Sequence, residues 1–119
     1  MENESKTKIL FVCSRNKLRS ATAEKIYEKV QHYDVRSCGT DKSARIRITA
    51  GHIGWADWIF VMEKRHLRLI RDKYKDELQG KRIVCLNIPD EYDFMDRELV
   101  LLLQSLLSEY IDVPEIDDS

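Results

Sequence analysis

Lys8-Ile9-Leu10-Phe11-Val12-Cys13-Ser14-Arg15-Asn16-Lys17-Leu18-Arg19-Ser20-Ala21-Thr22-Ala23-Glu24 joins an apolar run, a polar loop and a helix-forming segment without interruption. Ile9 to Val12 is the pattern of a short strand covered on both faces. Cys13 to Arg19 breaks it, and Ser20 onward reads as the start of a helix that continues to about Val30. Five residues separate Cys13 from Arg19.

The same alternation extends outward. Tyr33 to Ser37 reads as a second strand closed by Gly39, and Trp58 to Met62 as a third that runs into a charged helix from Glu63 to about Leu78. Gly80 is expected to close that helix. Ile83 to Ile88 reads as a fourth buried strand, Pro89-Asp90-Glu91-Tyr92 as a turn, and Asp96 to about Tyr110 as a last helix. Alternating strands and helices predict a three-layer α/β/α domain with a four-stranded parallel sheet and right-handed crossovers. Ligands in such sheets bind outside the carboxyl ends of the strands, where this reading places both Cys13 and Asp90. Asp41 to Gly54 has no legible period, because Arg45 and Arg47 alternate with Ile46 and Ile48 while Gly51 and Gly54 interrupt.

Composition bounds the rest. The 119 residues are one domain's worth, and 34% charged with 43% hydrophobic residues fits neither a disordered nor a membrane chain. A formal charge of −1 provides no global field to collect nucleic acid or anionic lipid. Met1 to Thr7 is polar and no apolar run approaches membrane-spanning length, so a cytoplasmic protein is expected. Residues 1–7 and 114–119 read as flexible tails. Cys13, Cys38 and Cys85 are odd in number and widely spaced, which suits reduced thiols better than disulfides or a zinc site.

The chemistry concentrates in the loop. Between a buried strand and a helix N-terminus, backbone N–H groups can converge on one anion above the Cys13 sulfur. Those dipoles, with the Arg19 guanidinium nearby, favour thiolate over thiol and make Cys13 a nucleophile. Arg19 can grip two phosphate oxygens bidentately, as lysine cannot. Ser20 is placed to hydrogen-bond the sulfur and ease its later departure. Cleaving a phosphomonoester also needs a proton for the leaving oxygen, and Asp90, presented by the turn that Pro89 stiffens, is the candidate, with Asp93 and Asp96 in reserve.

Phe11 to Ser20, followed by Ala23-Glu24, resembles the phosphate-binding loop of the low-molecular-weight protein tyrosine phosphatases. Arg36-Ser37-Cys38-Gly39-Thr40, Ala56 to Met62 and Ile88 to Tyr92 resemble that family's second strand end, third strand and acid-bearing loop. The resemblance implies Cys13 as nucleophile, Arg19 as phosphate clamp, Asp90 as general acid and then base, and a cysteinyl-phosphate hydrolysed without metal or other cofactor. It implies that Ser14, Arg15, Asn16, Lys17, Leu18 and Ser20 bind phosphate or support the loop, with Asn16 bracing it and Ser20 bonding the thiolate. Tyr92 matches an aromatic beside the acid and is a candidate substrate contact. The expected partner is a phosphotyrosine protein or another small phosphomonoester. The chain departs from the family pattern at Arg15, Leu18 and Glu91, and the segment between Thr40 and Ala56 is short.

Other readings are blander. Cys38 and Cys85 read as small core residues, His32, His52 and His66 as surface or helix-end residues, Trp55 and Trp58 as packing groups, and Glu63 to Arg82 as a solvated helix face. The competing functions are a catalytically weak phosphate-binding module and an arsenate reductase of the same fold. The latter needs a cysteine relay for which Cys85 has no nearby second thiol. Arg15, Lys17, Arg45 and Arg47 form a basic rim that suits an acidic or small phosphorylated substrate.

Overall fold

The computed structural model describes residues 6–112. Its elements run β1 (Thr7–Cys13), α1 (Arg19–Tyr27), β2 (Tyr33–Gly39), α2 (Ala50–Trp55), β3 (Trp58–Val61), α3 (Lys64–Lys73), β4 (Arg82–Cys85) and α4 (Arg97–Leu107). The four strands form one parallel sheet in the order β2-β1-β3-β4. β1 thus lies inside the sheet, with the chain turning to one side for β2 and back to the other for β3, so a crevice opens at its carboxyl end.

The apolar runs are continuous because both faces of the sheet are covered. On one face Ile9, Phe11 and Phe60 pack with Ala23 and Tyr27 of α1 and Leu99, Leu103 and Leu107 of α4. On the other, Leu10, Val12, Ile59 and Val61 pack with Ile53 of α2 and Ile70 of α3. Each such side chain is fully buried, and the Ile, Leu, Val and Phe among them contribute about 1.5–3 kcal/mol apiece from apolar burial. This is the three-layer α/β/α domain that the alternation predicts. Among the described residues no helix is long and apolar enough to cross a membrane.

Several boundaries differ from the sequence reading. Thr7, expected in a flexible tail, begins β1 and pairs with Tyr33, while residues 1–5 and 113–119 lie outside the described residues. The helix expected to reach Leu78 ends at Lys73, capped at Tyr74, and Gly80 turns the chain at a φ of 79° some residues later. β4 ends at Cys85, yet Leu86 N–H still donates to Val61 O and Ile88 N–H to Met62 O, so the segment stays docked on β3 without regular strand form.

Asp41 to Gly54, illegible in sequence, folds back on the loop after β1. Asp41 N–H donates to Ser14 O, Arg45 N–H to Arg15 O, and Gly39 exchanges backbone bonds with Ile46 and Ile48. The short helix α2 follows, its N-terminus closed by a reciprocal cap between Thr49 and His52.

Candidate active site

Cys13 is the last residue of β1 and Arg19 the first of α1, so the turn of the intervening loop brings the two together at the crevice. The Cys13 sulfur is 2.9 Å from Ser20 Oγ and receives the Asn16 N–H at 3.2 Å. Asn16 sits at a φ of 59°, a left-handed conformation that asparagine tolerates better than most residues. Its buried side chain donates from Nδ2 to Ser20 Oγ at 2.9 Å and to Ser37 Oγ at 2.8 Å. Ser20 Oγ accepts from Asn16, and its one hydrogen has two acceptors within reach, the sulfur at 2.9 Å and Cys38 O at 3.4 Å.

The brace continues outward. Ser37 Oγ donates to Glu24, whose carboxylate lies 3.9 Å from Arg45 Nη2, and Arg45 Nε returns to donate to Asn16 O at 3.0 Å. Glu24, Ser37 and Arg45 therefore lock the Asn16 turn from three different elements of the chain. Arg45, expected in a basic rim that receives an acidic or phosphorylated substrate, turns its guanidinium to this brace while its side chain stays half exposed.

Arg19 is 2% exposed. Its Nη1 donates to Ile88 O at 2.8 Å and lies 3.0 Å from Glu63 Oε1, and its Nε, which has no hydrogen bond, is 3.7 Å from Asp90 Oδ1. Asp90 is half exposed at the rim of the crevice. Its loop is tied down by the Ile88 contact, by a left-handed turn at Asn87, and by Met95 N–H donating to Thr22 Oγ1 at 2.9 Å. Of the reserve acids, Asp96 spends its carboxylate capping α4 through Glu98 N–H, and Asp93 is exposed with its backbone carbonyl accepting from Asp96. Tyr92 packs against the apolar core beneath α4 and does not line the crevice.

Two residues placed on a solvated helix face belong to the site instead. Glu63, at the carboxyl end of β3, takes Arg19 on one side and Arg65 on the other, with Arg65 Nη2 at 2.8 Å. Burial raises its carboxyl affinity for a proton, but hydrogen bonds from Arg65 and Arg19 outweigh that, so Glu63 is held below the usual carboxylate range. His66 is 1% exposed. Its Nδ1 accepts Glu63 N–H at 3.1 Å, which leaves the hydrogen on Nε2 to be donated to Ser14 Oγ at 3.0 Å. Burial, reinforced by the Arg19 and Arg65 charges, pushes His66 down to about 4, so the ring is neutral near pH 7. A carboxylate directly after a buried strand was the available signal for Glu63, and the three-residue spacing of a helix cap was the signal for His66.

The crevice encloses about 410 Å³. Cys13, Ser14, Leu18 and Arg19 form its floor, and Arg15, Lys17, Arg65, Asp41 and Asp90 its walls. Cys38 is fully buried and faces the opposite core from Cys13, and burial holds its thiol well above the ordinary range. Cys85 is partly exposed on β4. Trp58 stacks on Phe60, and Trp55 lies under the Arg36 guanidinium, so both are packing groups.

No family model matches the chain. Peptide chain release factor 3 of Lactobacillus gasseri and of Lactobacillus johnsonii are each 34% identical over 62 residues, 52% of this chain. The chain spans only 11% of the length of those relatives. Among solved structures, Vibrio vulnificus Wzb in complex with benzylphosphonate superposes with a TM-score of 0.69 at 22% identity, over 89% of this chain and 97% of that one. The low-molecular-weight protein tyrosine phosphatase of Streptococcus pyogenes gives 0.69 at 17% identity, over 89% and 94%. The YwlE arginine phosphatase of Geobacillus stearothermophilus gives 0.63 at 19%, over 91% and 99%. With β1 ending in Cys13, Arg19 opening α1 and Asp90 on the loop after β4, this chain has the fold of the low-molecular-weight protein tyrosine phosphatases.

Proposed function

We propose that the chain is a phosphomonoester hydrolase that works through a cysteinyl-phosphate, with Cys13 as nucleophile, Arg19 as clamp and Asp90 as general acid and base. The observation that carries this reading is the convergence of three groups on one crevice: a sulfur at the loop floor, a buried guanidinium beside it and a carboxylate 3.7 Å from that guanidinium.

In the first step the Cys13 thiolate attacks phosphorus, the bond to the leaving oxygen breaks, and protonated Asp90 gives that oxygen its proton. Arg19 holds two of the equatorial oxygens as charge spreads over them. In the second step water attacks the phosphocysteine, the Asp90 carboxylate takes the water's proton, and the sulfur leaves as a thiolate that Ser20 Oγ and Asn16 N–H stabilise. Asn16, Ser14, Arg15, Lys17 and Leu18 act by shaping the loop around the anion. Phosphotyrosine on protein is the substrate class the sequence resemblance favours. A phosphoguanidine, the alternative that an arginine phosphatase among the structural neighbours raises, is disfavoured because its guanidinium would lie against the Arg15, Lys17 and Arg65 charges at the walls.

Hydrolysis of an aryl phosphate by the native protein and by Cys13→Ser tests the reading. Turnover is expected to disappear in the variant while phosphate binding persists. Equal turnover in both would reject Cys13 as nucleophile, and binding without turnover in the native protein would favour a phosphate-binding module.

A further inference from the structure

Among the described residues, the crevice that holds Cys13 is lined by four cations and by no aromatic ring. Arg15, Lys17, Arg19 and Arg65 line it against the carboxylates of Asp41 and Asp90. Three of the four cations already face a carboxylate: Arg19 meets Glu63 and Asp90, Arg65 meets Glu63 at 2.8 Å, and Arg15 lies 3.8 Å from Asp41. Lys17 is exposed and, among the described residues, has no hydrogen-bond or ion-pair partner.

Lys17 also lines a second cavity of about 420 Å³ that runs along α1 beside Phe94. The acids of that cavity are matched, Glu24 by Ser37 and Arg45 and Glu28 by Lys25 at 3.1 Å. An unmatched ammonium therefore stands where the two cavities meet. A phosphate seated over Cys13 would engage the loop amides and Arg19, leaving the Lys17 charge to act on whatever is attached to that phosphate.

We propose that the preferred substrate is a phosphomonoester carrying a second anionic group beside the scissile phosphate, received by Lys17 at the junction of the two cavities. Arg15 and Arg65 line the crevice with it, each already facing a carboxylate. The inference rests on the hydrolase reading above and names its substrate class. An acidic side chain next to a phosphorylated residue and a second phosphate on a small molecule would both supply the anion. A long polyanion is not favoured, because the net charge of −1 offers no extended basic surface.

The test compares kcat/KM within matched pairs: a phosphotyrosine peptide with glutamate or glutamine flanks, and an alkanediol bisphosphate against its monophosphate. At low salt the native protein should favour the more anionic member by about three- to tenfold, a preference that fades as sodium chloride approaches about 0.5 M. Preference confined to one pair identifies the source of the anion. Lys17→Met should bring the ratio near one and Lys17→Glu should invert it. Because each ratio is taken within one variant, a general loss of turnover cancels. A native ratio near one, or a ratio unchanged in both variants, would overturn the proposal while aryl phosphate hydrolysis left the hydrolase reading standing. If no phosphoester is hydrolysed, that reading fails, and titration of Cys13→Ser with the same two peptides still decides the subsite: tighter binding of the glutamate peptide supports it, and equal or undetectable affinity overturns it.

Discussion

Arg19 holds a full charge at 2% exposure, and removing a guanidinium from water is affordable only where its donors find acceptors inside. Ile88 O and Glu63 take the Nη1 side, and Nε is left facing the crevice near Asp90. Arg19→Lys keeps the charge but loses the planar fork, so kcat/KM for an aryl phosphate should fall by about 10²-fold or more. A variant within threefold of the native rate would show that the fork is not used. Asp90→Ala should slow hydrolysis by about 10²-fold for a poor leaving group and far less for a good one, since only the former needs the proton. Equal slowing of both would remove Asp90 from the acid's role. His66 makes a prediction about stability instead. The unfolded chain protonates its histidine near 6.5 and the folded chain only near about 4. Stability is therefore complete above pH 6.5 and declines as pH falls through that window, by at most about 3 kcal/mol. Urea midpoints at pH 7 and pH 4.5 should differ less in His66→Gln than in the native protein. An identical difference would place the pH sensitivity at groups other than His66, and not at Glu63, whose depressed carboxyl loses stabilisation only below the ordinary carboxylate range.

At the scale of elements, the loop is held by its neighbours rather than by its own sequence. Gly39, paired with Cys13 across β1 and β2, leaves no room for a side chain, since a Cβ there would lie 2.4 Å from Ser14 O and 2.7 Å from the Ala44 Cβ. Gly39→Ala must displace the backbone that shapes the phosphate loop, and should cost about 1–3 kcal/mol in denaturant unfolding while weakening phosphate binding. Native affinity in that variant would mean that the loop is stiff on its own. The same dependence explains what the sequence could and could not convey. The Lys8 to Glu24 strand, loop and helix are legible because periodicity and residue type specify them locally. Asp41 to Gly54 is not, because its path follows backbone bonds to Ser14 and Arg15, partners some thirty residues away that leave no trace in its own pattern. Glu63 and His66 were hidden differently: a polar side chain on an exposed helix face and one turned inward to brace the site look alike until the helix is docked. Tyr92 shows the converse, a plausible aromatic contact that packs inward once Met95 and Ile88 anchor its loop.

At the scale of the molecule, the crevice gathers groups from the segments after all four strands, each of which rests on a sheet with a separate apolar core on either face. That arrangement follows from the parallel order alone, and it predicts how stability and binding relate. An oxyanion seated over Cys13 would engage loop amides and a guanidinium that converge only when the segments after the other strands brace them, so it must stabilise the fold by mass action. At a hundredfold excess over its dissociation constant the gain is about 2.7 kcal/mol, or about 10 °C in Tm for a domain of this size. Arg19→Met should abolish the increment. Leu103→Ala, which opens the core between the sheet and α4 without altering a residue that lines the crevice, should lower stability by about 2–5 kcal/mol yet keep the oxyanion increment in free energy unchanged. Thermal and urea unfolding of the three proteins with and without phosphate decides it. If the increment vanished in Leu103→Ala as well, the crevice would depend on the packing of α4, and the loop's rigidity would be a property of the whole domain rather than of its braces.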